Sequence, residues 1–172
     1  MRVWVDADSC PRVIRDIVVR ASQRTHTRAT FVANRQVPGI DSESSDFARV
    51  PPGDDSADQF ILSTAGRGDL VVTRDIPLAS KLVDLGICVL NDRGDVYTVE
   101  NVKERLSVRD FMAELREIGV AEKRGRRFGA RETLEFANAF DRELTRLRRA
   151  EGEEATAKNG DPTPKDIDES DI

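Results

Sequence analysis

The chain has 172 residues, enough for one domain with a real core, with 38% apolar residues, 34% charged residues and a formal charge of −5. No apolar run reaches the roughly 18 residues that a membrane-spanning helix needs, and the N-terminus has one arginine and then a strand rather than a signal peptide's long apolar region, so a cytoplasmic protein is expected. Residues 151–172 hold eight acids and two lysines, and the chain's −5 less that segment's −6 leaves about +1 for residues 1–150.

Residues 2–5 read as a short buried strand, because their apolar character is nearly continuous. Pro11 opens a helix whose apolar stripe is Val13, Ile14, Ile17, Val18 and Ala21. Ala29 to Ala33 form a second strand. Residues 34–46 are polar, turn at Pro38-Gly39 and read as a mobile loop. Phe47 to Val50 form a third strand, ended by Pro51-Pro52-Gly53.

A helix follows from Ser56 to Ala65, with Ala57, Phe60, Ile61 and Ala65 inward and Gly66 and Gly68 after it. Leu70 to Thr73 is the clearest buried strand. Ile76 to Leu85 is the next helix, and Ile87 to Leu90 the next strand. This alternation predicts a mainly parallel α/β sheet with right-handed crossovers. Asn101-x-x-Glu104 and Ser107-x-x-Asp110 resemble capping boxes, the first opening a short turn and the second a helix to Ile118. That helix has Phe111, Met112, Leu115 and Ile118 as its apolar face. A last helix is expected over 131–149, on a stripe of Leu134, Ala137, Phe140, Leu144 and Leu147. Two units result: an α/β domain at 1–150 and a disordered acidic tail at 151–172, too poor in apolar residues to offset the entropy of ordering. Cys10 and Cys88 read as reduced thiols.

Aspartates stand at the ends of the apolar runs. Asp6 and Asp8 follow Val3-Trp4-Val5, Asp75 follows the strand at 70–73, and Asp55 and Asp58 open the helix between them. In an open parallel sheet, ligands bind outside the carboxyl ends of the strands. Carboxylates gathered there repel one another unless a cation or a shared proton relieves them. Hard cations such as Mg²⁺ and Mn²⁺ take oxygen ligands of this kind. If the chain stays extended past Val5, Asp6 and Asp8 point to one side. Each aspartate also has a structural reading: helix capping for Asp55 and Asp75, and a favourable charge near a helix start for Asp6, Asp8 and Asp58. His26 reads as exposed, and Lys81 as solvated. Lys123, Arg124, Arg126, Arg127 and Arg131 form a basic stretch with Phe128 embedded. It fits either contact with a nucleic-acid backbone or a solvated linker.

VDADSCP at 5–11, GxDxAD at 53–58, GDLVVTRDIPLA at 68–79 and LNDRGxxYT at 90–98 resemble the YaiI/YqxD family of uncharacterised bacterial proteins. NxxERLxxRDFMxxLR at 101–116 and FAxxxDRxL at 136–144 extend the resemblance over roughly residues 1–147. Asp92 departs from it, since the family often has proline after the asparagine. The family is similar to PIN-like domains, metal-dependent nucleases with acidic sites on a parallel sheet. The resemblance therefore implies a PIN-like three-layer sandwich followed by C-terminal helices. It makes Asp6 the first acid, Asp58 the helix acid and Asp75 the strand-end acid, with Asp8 and Asp55 specific to the family.

Three functions compete. The first is a nuclease holding one or two Mg²⁺ or Mn²⁺ ions on Asp6, Asp58 and Asp75, supported by Asp8 and Asp55, and acting on RNA or single-stranded nucleic acid. The second is a haloacid-dehalogenase-like phosphatase using Asp6 as nucleophile and Asp8 as acid/base. Chain order opposes it, because Gly53-Asp54-Asp55 precedes Lys81, whereas that motif set needs the reverse. The third is a non-catalytic module that binds nucleic acid or protein.

Overall fold

A computed structural model of the chain describes residues 1–40, 43–53, 55–120 and 128–159. The elements in order are β1 (Val3–Asp6), α1 (Arg12–Thr25), β2 (Ala29–Ala33), β3 (Ser45–Arg49), α2 (Ser56–Thr64), β4 (Leu70–Val72), α3 (Ile76–Asp84), β5 (Cys88–Leu90), β6 (Val96–Tyr97), α4 (Val99–Glu117) and α5 (Ala130–Asn159). The six strands form one sheet in the order β3-β2-β1-β4-β5-β6. All neighbours are parallel except the β5–β6 pair, which is antiparallel. The mainly parallel α/β sheet expected from the sequence is therefore present, with a short antiparallel edge strand that the sequence reading did not include.

Side-chain alternation along the strands divides the core into two layers. Val3, Val5, Phe31, Leu70 and Val72 pack on one face with Ile14 and Val18 of α1 and with Phe136, Phe140 and Leu144 of α5. Trp4, Val32, Val71 and Val89 pack on the other with Ile61 of α2, Leu78 and Leu82 of α3, and Val102 of α4. The result is three layers, helix–sheet–helix. By the same alternation Asp6 lies on the side of Trp4, facing α2 and α3. Strand order reverses between β1 and β4, because β2 and β3 lie to one side of β1 and β4 and β5 to the other. Their carboxyl ends therefore flank the crevice where open α/β sheets bind ligands.

Several expectations are corrected. The stretch 99–117 is one helix rather than two elements. Thr98 caps it, accepting from Asn101 N while Asn101 Oδ1 accepts from Thr98 N. Ser107 instead donates to Lys103 O within the helix. Phe111 and Ile118 are exposed, and Val102 is the helix's buried residue. The cause is length: at about 1.5 Å per residue, α3 spans about 14 Å beneath an α4 of about 28 Å. On α5 the stripe is rotated. Leu134 is exposed, while Phe136, Ala139, Phe140, Leu144 and Leu147 are buried. Stacking of the Phe136 and Phe140 rings at 5.5 Å turns these two large apolar surfaces inward together.

The last helix runs on to Asn159, so the start of the expected tail continues it. Five of the nine residues 151–159 are Glu or Ala, which are good helix formers. Residues 160–172 lie outside the described part. The polar segment before β3 also departs from a plain loop, since Val37 and Ile40 are buried in the α1 layer. Both cysteines are free thiols.

Candidate functional site

The end of β1 delivers Asp6 into the protein interior, 5% exposed. Its Oδ2 accepts from Ser9 Oγ at 2.6 Å and from Thr73 Oγ1 at 3.0 Å. Thr73 follows β4 directly and is itself buried. Its hydroxyl also accepts from Asp75 N at 3.0 Å, so one side chain links the ends of β1 and β4. Burial pushes the Asp6 carboxyl above the usual aspartate range, against the opposing pull of the Ser9 and Thr73 hydrogen bonds.

Asp75 is the N-cap of α3, with Oδ1 accepting from Leu78 N at 2.7 Å, and Pro77 occupies the first turn. Its structural reading thus holds, while the same carboxyl lines the cavity described below. Asp58 sits in the first turn of α2 and is half-buried. Its carboxyl is pushed up to about 6, first by burial and then by the negative charges of Asp75, Asp6 and Asp55, with Lys81 opposing. Among the described residues it has no hydrogen-bond partner. Asp55 occupies the N-cap position of α2 without a side-chain capping bond.

Asp8 departs from the expected geometry. The strand ends at Asp6 and residues 7–9 turn. Asp8 Oδ2 accepts from Asn34 N at 2.9 Å, and Oδ1 lies 3.3 Å from Arg35 Nε. Asp8 therefore ties the β1 turn to the end of β2. It still borders the same space: Asp6, Asp8, Asp55, Asp58 and Asp75 all line one cavity of about 540 Å³, together with Ser9, Asn34 and Arg74. Five carboxylates from the end of β1 and the turn after it, the start of α2 and the β4–α3 junction thus line one cavity at the switch point of the sheet.

The donor set is all oxygen, which suits a hard divalent cation. Among the described residues no three acidic, cysteine or histidine side chains converge closely enough to hold an ion by themselves. Any ion held here needs water or substrate oxygens as well as carboxylates.

Of the basic stretch, Arg131 is exposed at the start of α5 and pairs with Glu135 at 2.8 Å; Lys123, Arg124, Arg126 and Arg127 lie outside the described residues. His26 is exposed in a left-handed conformation at the end of α1, and Lys81 is exposed. The sequence reading missed Ser9, Thr73, Asn34 and Arg74 as parts of this cavity and its walls. Thr73 and Arg74 are the two residues between β4 and Asp75, and that adjacency is the signal that could have found them.

The chain belongs to the uncharacterised YaiI/YqxD family, whose model matches residues 4–146. It is 50% identical over 149 residues to the UPF0178 protein of Treponema pallidum (strain Nichols), covering 87% of this chain and 84% of that protein. It is 50% identical over 153 residues to the UPF0178 protein of Myxococcus xanthus (strain DK1622), covering 88% and 99%. It is 43% identical over 152 residues to the UPF0178 protein of Syntrophobacter fumaroxidans (strain DSM 10017 / MPOB), covering 88% and 99%. No solved structure matches.

Proposed function

We propose that this member of the YaiI/YqxD family is a PIN-like, metal-dependent nuclease that hydrolyses phosphodiester bonds in RNA or single-stranded nucleic acid. The observation that carries this reading is that Asp6, Asp58 and Asp75 line one cavity at the β1/β4 switch point, where burial and then the charges of Asp75, Asp6 and Asp55 lift Asp58 to about 6. Groups with such perturbed protonation, gathered in a cleft, are the usual mark of a working site.

Asp6, Asp58 and Asp75 would hold Mg²⁺ or Mn²⁺, with Asp8 and Asp55 supporting. The ion, when bound, lowers the pKa of a water and neutralises charge on the scissile phosphate. The chain's own residues do the rest. Ser9 and Thr73 hold Asp6 Oδ2 in a single orientation. Asp58 keeps a proton up to about pH 6, which a cation must displace, so ion binding weakens below that pH. Arg131 and the basic stretch before it would contact the nucleic-acid backbone.

The test is cleavage of a single-stranded oligoribonucleotide in Mn²⁺, in EDTA, and by the Asp6→Asn variant, with a phosphomonoester as a parallel substrate. Cleavage of the diester that needs both Mn²⁺ and Asp6 supports the reading. Turnover of the monoester alone would make the site a phosphatase, and no turnover of either would leave a binding module.

A further inference from the structure

Arg74 is the one cation lining a cavity that five aspartates also line, among the described residues. It stands between Thr73, which holds Asp6, and Asp75, which caps α3. Its Nε lies 3.4 Å from Asp92 Oδ2, and its side chain is 53% exposed while that of Asp92 is 5% exposed. Asp92 follows β5 by two residues, so its carboxyl also comes from the carboxyl edge of the sheet. Among the described residues Asp92 Oδ2 has no hydrogen-bond partner.

A buried carboxylate at this distance anchors a guanidinium electrostatically without using up its donors. The guanidinium has five N–H donors in a rigid fork, and among the described residues no hydrogen bond occupies its terminal nitrogens. A planar fork held at the rim of a carboxylate cavity matches a phosphate group, which guanidinium binds through two parallel hydrogen bonds. Two facts separate this from simple charge neutralisation. The cation lines the cavity, and the carboxylate that holds it is not one of those lining the cavity.

We propose that Arg74, positioned by the buried carboxylate of Asp92, is the phosphate-binding residue of this site, gripping a backbone phosphate of the single strand. The inference rests on the nuclease reading, because it assumes that the cavity receives a nucleic-acid strand. Arg74 grips the strand, and Asp92 acts through Arg74 as a positioning residue.

Binding of a fluorescein-labelled phosphorothioate oligouridylate, whose linkages keep their charge and resist cleavage, is followed by anisotropy in Mn²⁺ over a range of salt. Arg74→Ala should weaken binding about tenfold, as expected for a lost charged hydrogen-bonded contact. It should also make the log–log salt slope shallower by about 0.7, the value for one phosphate contact on a single strand. Arg74→Lys should keep the slope and recover part of the affinity, because the charge stays and the fork is lost. Arg74→Ala leaves Asp92 buried without its cation, so the double variant Arg74→Ala/Asp92→Asn, which removes both charges and spares that cost, should show the same change of slope. An unchanged slope in both variants, or a parent that binds no oligonucleotide, overturns the assignment. Calorimetric titration of the parent with Mn²⁺ alone tests the nuclease reading separately. A parent that takes up Mn²⁺ while the slope is unchanged in both variants retains that reading and loses only Arg74.

Discussion

Replacing Asp58 by Asn separates crowding of charge from packing, because the amide keeps the shape of the carboxyl and drops its charge. In the folded chain this carboxyl is lifted from 3.8 to about 6 by burial and by the charges of Asp75, Asp6 and Asp55. The folded state thus holds the proton more tightly than the unfolded chain does. The associated stability is complete below about pH 3.8 and is lost as pH rises through about 6. At 1.36 kcal/mol per pH unit the difference is at most roughly 3 kcal/mol. Screening of a half-exposed group reduces it to about 1 kcal/mol. Urea unfolding in metal-free buffer between about pH 4 and pH 8 should therefore show the parent losing about 1 kcal/mol that the variant keeps. Near pH 7 the variant should be the more stable protein. Asp6, raised by burial, leaves a slope of the same sign in the variant. A variant less stable than the parent near pH 7, or two superimposable pH profiles, would show that charge does not destabilise this position and leave Asp58 as an ordinary first-turn acid.

Further outcomes are expected. Asp6→Asn in metal-free buffer should be as stable as the parent or slightly more so, whereas Mn²⁺ at 100 times its Kd should add about 2.7 kcal/mol to the parent and much less to the variant, read from paired melting curves. Thr98→Ala should cost about 1 kcal/mol by removing the cap of α4, while Ser107→Ala should stay within about 0.5 kcal/mol, as measured by urea midpoints.

The part of the molecule that builds the cavity was readable because its signals are local. Val3-Trp4-Val5 and Leu70-Val71-Val72 are short continuous apolar runs buried on both faces, and an acid at or soon after the end of each run marks the carboxyl edge. Pro77 and Gly86 bracket α3 just as clearly. What escaped depends on partners distant in sequence. The extent of α4 is set by a Thr98–Asn101 cap, and its exposed apolar residues result from the shortness of α3, which its own pattern does not encode. The inward face of α5 is chosen by the fit of Phe136 and Phe140 against the sheet, and Leu134 competes equally well on periodicity alone. Asp8 was misplaced because the alternation of a strand was carried past Asp6, where the chain turns. The Arg74–Asp92 pair joins residues after two different strands and has no signature in either stretch taken alone.

The most direct measurement is anomalous scattering from a crystal of the full chain soaked with Mn²⁺. A manganese peak is expected inside the cavity, in contact with carboxylate oxygens of Asp6, Asp58 and Asp75, and lost in crystals of Asp6→Asn. A cavity without manganese at millimolar concentration, or a peak that persists in the variant, would contradict it.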